Sequence, residues 1–312
     1  MDGILIIDKP EGWTSHDVVA RARRVLRERR VGHTGTLDPF ATGVLVLLLG
    51  RATRLAQFLA GAEKEYEATI RLGFSTDTGD LTGARRDGPG AEGCAAVTRE
   101  RLEAALSPLR GEIEQVPPMY SAKKVRGKKL YELARRGEVV EREAARVRVS
   151  EFEVVAGAGG GFIEPNADGT CDLRARVVCS AGTYVRALAE SVGENLGTGA
   201  HLAALRRTRA GVFGLGRALT LEGLEEGAGA GGEILLPLEA ALPHLPAAHL
   251  TAEDARRVRH GAAVGAGHAA AWEEGAHVAL FDGGGALLAV AAYDAAAALL
   301  RPRVMLAAEI KC

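Results

Sequence analysis

The stretch VGHTGTLDPFATGVLVLLLG, residues 31–50, sets one carboxylate, Asp38, among glycines and threonines at the edge of a long apolar run. Pro39 has a fixed φ and disfavours the helical region for the residue before it, so Asp38 is expected in extended geometry. Gly32, Gly35 and Gly43 permit tight turns and the close approach of another molecule's backbone. His33, Thr34 and Thr36 add hydrogen-bonding groups. The apolar run GVLVLLLG reads as a fully buried segment, a dry floor beside which a carboxylate needs a cationic partner to stay ionised. A lone Asp-Pro more often just closes a turn, so the neighbours must decide.

Outward from this loop the periodicities alternate in type. GILIIDKPEGW (3–13) reads as a short buried strand and a turn, followed by a helix capped at Thr14 or Ser15. In that helix Val18, Val19, Ala22, Val25 and Leu26 share one face and arginines the other. ATRLAQFLAGAE looks helical. KEYEATIRL alternates, with Tyr66, Ala68, Ile70 and Leu72 on one side. RERLEAALSPLRG is a compact amphipathic helix, and VPPMYSAKKVRGKKLYELARRGE a turn, a basic arm and a short helix. ARVRVSEFEVV alternates again, AGAGGGFIEPNADGT (156–170) is a hairpin tip or insert, and CDLRARVVCSAGTYVRALAESVGENLG a strand running into a helix. The acidic LEEGAGAGGEILL reads as the best domain boundary. The final 65 or so residues hold a short helix and several Gly-broken strands, a small β-rich module. Strands and helices mixed without a βαβ rhythm indicate an α+β fold.

Composition narrows the function. The opening acids Asp2 and Asp8 argue against a secretory signal, and no apolar run approaches bilayer length, so a cytoplasmic protein without membrane contact is expected. Cys94, Cys171, Cys179 and Cys312 form no CxxC pair, which disfavours a metal site or a disulfide framework. The net charge of −1 hides a division. Residues 21–30 carry six arginines and one acid, 119–148 ten basic residues against four acids, and 201–217 four arginines and no acid. Residues 221–255 carry seven acids and no Lys or Arg. Basic segments set apart this way suggest a face for a polyanion, and the preference for arginine suits phosphate.

The combination GHTGTLDPxATG, taken with DKPEGWTSHDVV, KEYEATIRLG, PPMYSAKKVRGKKLYELARRG, CSAGTYVRALAESVGENLG and GAHLAALRRTRAG, resembles the bacterial TruB-type tRNA pseudouridine synthases in order and spacing. The resemblance covers almost the whole chain. It implies a pseudouridine-synthase-like mixed sheet flanked by helices over residues 1–240, with an RNA-gripping arm at about 117–148. A looser match implies a PUA-like RNA-binding domain over 247–312. The activity implied is isomerisation of uridine to pseudouridine at position 55, in the TΨC loop of tRNA. No cofactor, metal or protein partner is implied, and a monomer is expected.

Carried over residue by residue, Asp38 matches the family's catalytic carboxylate, and Arg186 the arginine that pairs with it. Tyr66 matches the aromatic that stacks on the extruded base. Tyr184 and Leu205 match positions lining the uracil pocket, and His33 a residue that helps extrusion. Lys123, Lys124, Arg126, Lys128 and Lys129 are the arm residues expected to hold phosphates. Base extrusion gives these groups a physical purpose, because a stacked uridine must leave its stack before its sugar carbon is accessible. A retaining glycosidase would need a second carboxyl about 5–5.5 Å away, and none stands inside the matched motifs. A base-exchanging transglycosylase would want a barrel rhythm and usually zinc. An RNA chaperone that folds tRNA at its elbow is the non-catalytic alternative.

Overall fold

The computed structural model describes residues 1–86, 90–121, 123–125, 127–134, 136–138, 140–157, 160–229, 234–267 and 272–307. Among these, a mixed ten-stranded sheet carries the larger part of the chain. Its main path runs Gly3–Lys9, Thr42–Leu49, Ala200–Ala210, Lys64–Leu72, Cys171–Cys179, Ala145–Val154 and Gly111–Gln115. Every neighbouring pair on this path is antiparallel except Thr42–Leu49 against Ala200–Ala210, where Arg206 and Arg207 meet Thr42 and Gly43 in parallel. That junction lies directly behind the Asp38 loop. Gly43 there has φ +98°, and a Cβ on it would sit 2.2 Å from the Arg207 carbonyl oxygen, so two backbones meet where only glycine fits.

The apolar run forms the strand Thr42–Leu49, with every residue from Gly43 to Leu49 buried. Both of its faces are covered, one by a helix and the other by short helical turns and a second, C-terminal sheet, which explains a continuous rather than alternating pattern. On one face, Leu5, Ile7, Leu45 and Leu47 pack with Val18, Val19 and Ala22 of the helix Ser15–Leu26. Thr14 caps that helix in a full capping box with Asp17. Lys64–Leu72 alternates as its sequence suggests, with Tyr66, Ala68, Ile70 and Leu72 buried on one side. Those side chains share a core with Val185, Leu188 and Val192 of the helix Val185–Leu196.

Two local expectations change. ATRLAQFLAGAE is a 3-10 turn over Gly50–Leu55 and only one α turn, Ala56–Leu59. The segment LEEGAGAGGEILL, read as a domain boundary, overlaps a helix, Leu221–Gly229, because Leu221 and Leu224 are buried against the first helix and strand. Its glycines and acids hid that apolar pair. The insert at 156–170 ends as a hairpin, with Glu164–Pro165 against Cys171–Asp172. A separate five-stranded sheet follows, in the order Ala247–His249, His277–Phe281, Leu287–Asp294, Leu299–Met305, Val264–Gly265, with the helix Ala252–Arg259. It docks on the first unit through a common core, where Ala279, Val290 and Val304 meet Ile4, Val46 and Leu55. No helix among the described residues is long and apolar enough to cross a membrane.

Candidate active site

Asp38 sits in irregular backbone between the edge strand Val31–Thr34 and the central strand Thr42–Leu49. The Asp38 carbonyl accepts from the Ala41 amide (3.1 Å), which closes a turn around Pro39. Ser15 ties the loop down from the first helix: its hydroxyl accepts from the Leu37 amide at 2.9 Å and donates to the Leu37 carbonyl at 3.2 Å. Lys9, wholly buried, donates to the carbonyls of Pro10 (2.9 Å), Trp13 (2.7 Å) and Pro39 (3.1 Å). Arg207, also buried, donates to the Gly35 carbonyl at 2.8 Å and the Val44 carbonyl at 2.7 Å. The loop is held by bonds to its backbone, which leaves its side chains free for chemistry.

Arg186 comes from the first turn of the helix Val185–Leu196 and meets Asp38 with two nitrogens, Nε at 3.0 Å from Oδ2 and Nη2 at 3.3 Å from Oδ1. Its side chain is 4% exposed, whereas that of Asp38 is 37% exposed, so the pair is closed behind the arginine and open at the acid. Arg186 also donates to the carbonyls of Thr78 (2.9 Å) and Tyr120 (2.7 Å) and lies 3.6 Å from Asp80. One guanidinium thus serves two carboxylates and two carbonyls, a use of the planar fork that an ammonium cannot copy. Burial pushes the Asp38 carboxyl above the ordinary aspartate range, Arg186 pulls it back, and the Asp80 charge pushes it up again. The charge-assisted contacts with Arg186 favour the ionised form against that burial.

Tyr66 and Leu205 complete the surroundings. The strands pair Tyr66 with Arg207 and Ala68 with Leu205, so Tyr66 and Leu205 lie diagonally on one face. Both share a cluster with Leu37, Phe40 and Val185, from the residues flanking Asp38 and Arg186. Burial raises the Tyr66 hydroxyl and the adjacent Arg207 lowers it, the rise prevailing, so it is protonated at neutral pH. Tyr184 stands at the N-cap of the arginine's helix. There the Gln115 amide grips its backbone twice, accepting from the Tyr184 amide at 2.7 Å and donating to its carbonyl at 3.1 Å. His33 is half-buried and packs edge-to-face on His16, with ring centroids 5.5 Å apart. Burial lowers its pKa, helped by His16 and Arg207, so the ring is neutral near pH 7.

Four residues of this arrangement escape a sequence reading: Lys9, Asp80, Gln115 and Arg207. Asp80 had a usable signal, an acid in the Thr- and Gly-rich loop STDTGDLTG much like that of Asp38. Arg207 looks like surface charge in the 201–217 cluster, and the structure corrects that reading. Arg207 is buried, Arg206 pairs with Asp8, and Arg209 faces Glu63 and Glu65. Of the arm residues, Lys123 and Lys128 are exposed. Lys124 and Lys129 pair across a two-stranded ribbon at the level of the backbone. Arg126 and the side chains of Lys124 and Lys129 lie outside the described residues. Also among the described residues, no group of three His, Cys, Asp or Glu is placed to hold a metal ion.

Comparison with known proteins is consistent with this geometry. The family model described as TruB family pseudouridylate synthase (N terminal domain) matches residues 23–185, and that of the tRNA pseudouridylate synthase B C-terminal domain matches 186–243. The chain is 49% identical over 266 residues to tRNA pseudouridine synthase B of Thermobifida fusca, covering 83% of this chain and 85% of that one. It is 47% identical over 287 residues to the enzyme of the same name from Mycobacterium sp. (strain KMS), covering 90% and 92%. Among solved structures, a Cbf5-Nop10-Gar1 complex matches with a TM-score of 0.68 and 31% identity, covering 93% of this chain and 78% of that chain. An H/ACA RNP bound to a substrate RNA containing 2'-deoxyuridine matches with a TM-score of 0.71 and 27% identity, covering 99% and 86%. By its family-model matches and its identity to these relatives, the chain belongs to the TruB family of pseudouridylate synthases.

Proposed function

We propose that this protein isomerises uridine to pseudouridine in the TΨC loop of tRNA, at position 55, with Asp38 as its catalytic carboxylate. The observation that carries the reading is the two-pronged contact of Arg186 with an Asp38 that is open on its other side. An ionised acid oriented from behind and exposed in front is suited to meet the anomeric carbon of an extruded nucleotide. In the reaction the C1′–N1 bond breaks, the uracil turns, and a C1′–C5 bond forms. The C5 proton is lost and N1 regains one, so nothing is consumed. Tyr66 stacks on the extruded base in place of its RNA neighbours, Leu205 and Tyr184 line the uracil, and His33 fills the space the nucleotide leaves. Residues 1–240 form the catalytic unit and 247–312 an RNA-binding unit.

Product mapping tests the assignment. Unmodified tRNA incubated with the protein should gain one pseudouridine, detected by chemical labelling, at position 55. A pseudouridine at another position would overturn the substrate site and leave the chemistry standing.

The arm reading makes a second, electrostatic prediction. Replacing Lys123, Lys124, Arg126, Lys128 and Lys129 with glutamine should weaken tRNA binding about tenfold or more near physiological salt. It should also flatten the plot of log affinity against log salt by roughly one unit for each phosphate no longer neutralised. An unchanged slope would show that the arm holds no phosphate.

The carboxylate pair gives a third. Catalysis needs ionised Asp38, whose carboxyl is raised, so the acid limb of kcat/KM should lie above that of an ordinary aspartate at about 3.9. Asp80→Asn removes a charge that raises it, and the limb should move to lower pH. Asparagine keeps the acceptor that binds the Thr82 amide (2.9 Å) and hydroxyl (2.6 Å), so the loop geometry survives. A limb that stays in place would mean the two acids do not couple.

A further inference from the structure

A hollow of about 380 Å³ is lined by Gly12, Trp13, Asp17, Ala20, Arg21 and Arg24, and Gly12 at its rim is hydrogen-bonded to Pro39 of the Asp38 loop. The chemistry assigned to Asp38, Tyr66 and Arg186 does not use it. Trp13 is an exposed aromatic in this wall, 37% open to solvent. Its backbone is unusually well fixed for a turn residue. Buried Lys9 holds the carbonyls of Trp13 and Pro39 together, and the Gly12 amide donates to the Pro39 carbonyl at 2.8 Å. The capping box at Thr14 fixes the next residue. The Trp13 backbone is therefore locked to the residue after Asp38 and fixes where the indole is anchored.

The charges around it are already sorted. Asp17 is engaged by the Thr14 amide (2.9 Å) and hydroxyl (2.6 Å), and Arg21 pairs with Glu225. Arg24 is exposed and has no ion-pair partner among the described residues. A flat aromatic face, a shallow floor at Ala20 and an unneutralised guanidinium fit a base with its phosphate. From this, and resting on the proposed function, we infer that the hollow is a second nucleotide subsite, in which Trp13 stacks on the unpaired base next to the target uridine while Arg24 holds its phosphate. Holding that neighbour would keep the RNA loop open while the target base occupies the Asp38 cleft.

Trp13 and Trp272 are the two tryptophans of the chain, so Trp272→Phe leaves Trp13 as the sole reporter. Unmodified tRNA should quench its fluorescence saturably. In turnover, Trp13→Ala should lower kcat/KM about tenfold, the scale of one base–aromatic stack, with Trp13→Phe recovering most of it. An abasic residue on one side of the target uridine should cost the parent protein a similar factor and cost Trp13→Ala almost nothing more. Circular dichroism of Trp13→Ala should match the parent, and Trp13→Phe should restore any loss of melting temperature from the covered part of the ring. Unchanged fluorescence on tRNA saturation, or abasic and Trp13→Ala effects that multiply independently, would overturn the subsite. If the parent formed no pseudouridine in any tRNA, the functional reading would fail, and the fluorescence titration would still decide whether a base stacks on Trp13.

Discussion

Asp38→Asn protein should bind tRNA within a few-fold of the parent and form pseudouridine at least about 10⁴-fold more slowly, the scale on which loss of a central catalytic group is felt. The substitution is nearly isosteric. Ser15, Lys9 and Arg207 hold the loop through the backbone of residues 35, 37 and 39, so the position of residue 38 does not depend on its charge. Arg186 keeps Asp80 and the carbonyls of Thr78 and Tyr120. What vanishes is the negative charge at the open end of the pair. Single-turnover assays with saturating protein separate this from weakened binding, and turnover near the parent rate would remove Asp38 from the reaction.

The outline of the fold was legible because its central elements carry undiluted patterns. The run 43–49 is apolar throughout since it is covered on both faces, and 64–72 alternates since the buried side of its strand faces one core. Leu221–Gly229 was obscured because two leucines suffice to dock a helix otherwise made of Gly, Ala and Glu. Of the candidate site, motif resemblance singled out six residues and chemistry Asp38 alone; the structure brings Asp38 and Arg186 into contact and sets Tyr66 and Leu205 in one cluster. Lys9, Gln115 and Arg207 could not be found that way, because they act on backbone carbonyls and amides. A side chain that binds backbone leaves no matching residue elsewhere in the sequence. Charge counting misled at Arg206, Arg207 and Arg209 for a related reason: the acids facing Arg206 and Arg209, and the Val44 carbonyl that binds Arg207, lie more than 130 residues away and meet them only in the sheet.

Arg186 offers the sharpest separation of charge from shape. Arg186→Met leaves the buried Asp80 and the partly open Asp38 without their shared cation; breaking a fully buried pair typically costs about 3–5 kcal/mol, an upper bound here because Asp38 reaches solvent. The melting temperature should fall, and the acid limb of residual activity should climb, because the charge that lowers the Asp38 carboxyl is gone. Arg186→Lys tests something different. The ammonium restores a positive charge, so most of the stability and the position of the acid limb should return. A single nitrogen cannot span both oxygens of Asp38 and also reach the carbonyls of Thr78 and Tyr120. Asp38 should then lose its fixed orientation, and kcat should stay about 10²-fold or more below the parent, since small misplacements of a reacting group cost that much. The Tyr120 bond also fastens the base of the basic arm to the ionic centre, so tRNA affinity should drop modestly in both variants. Full activity in Arg186→Lys would show that positive charge alone suffices, and that the fork geometry carries no catalytic weight.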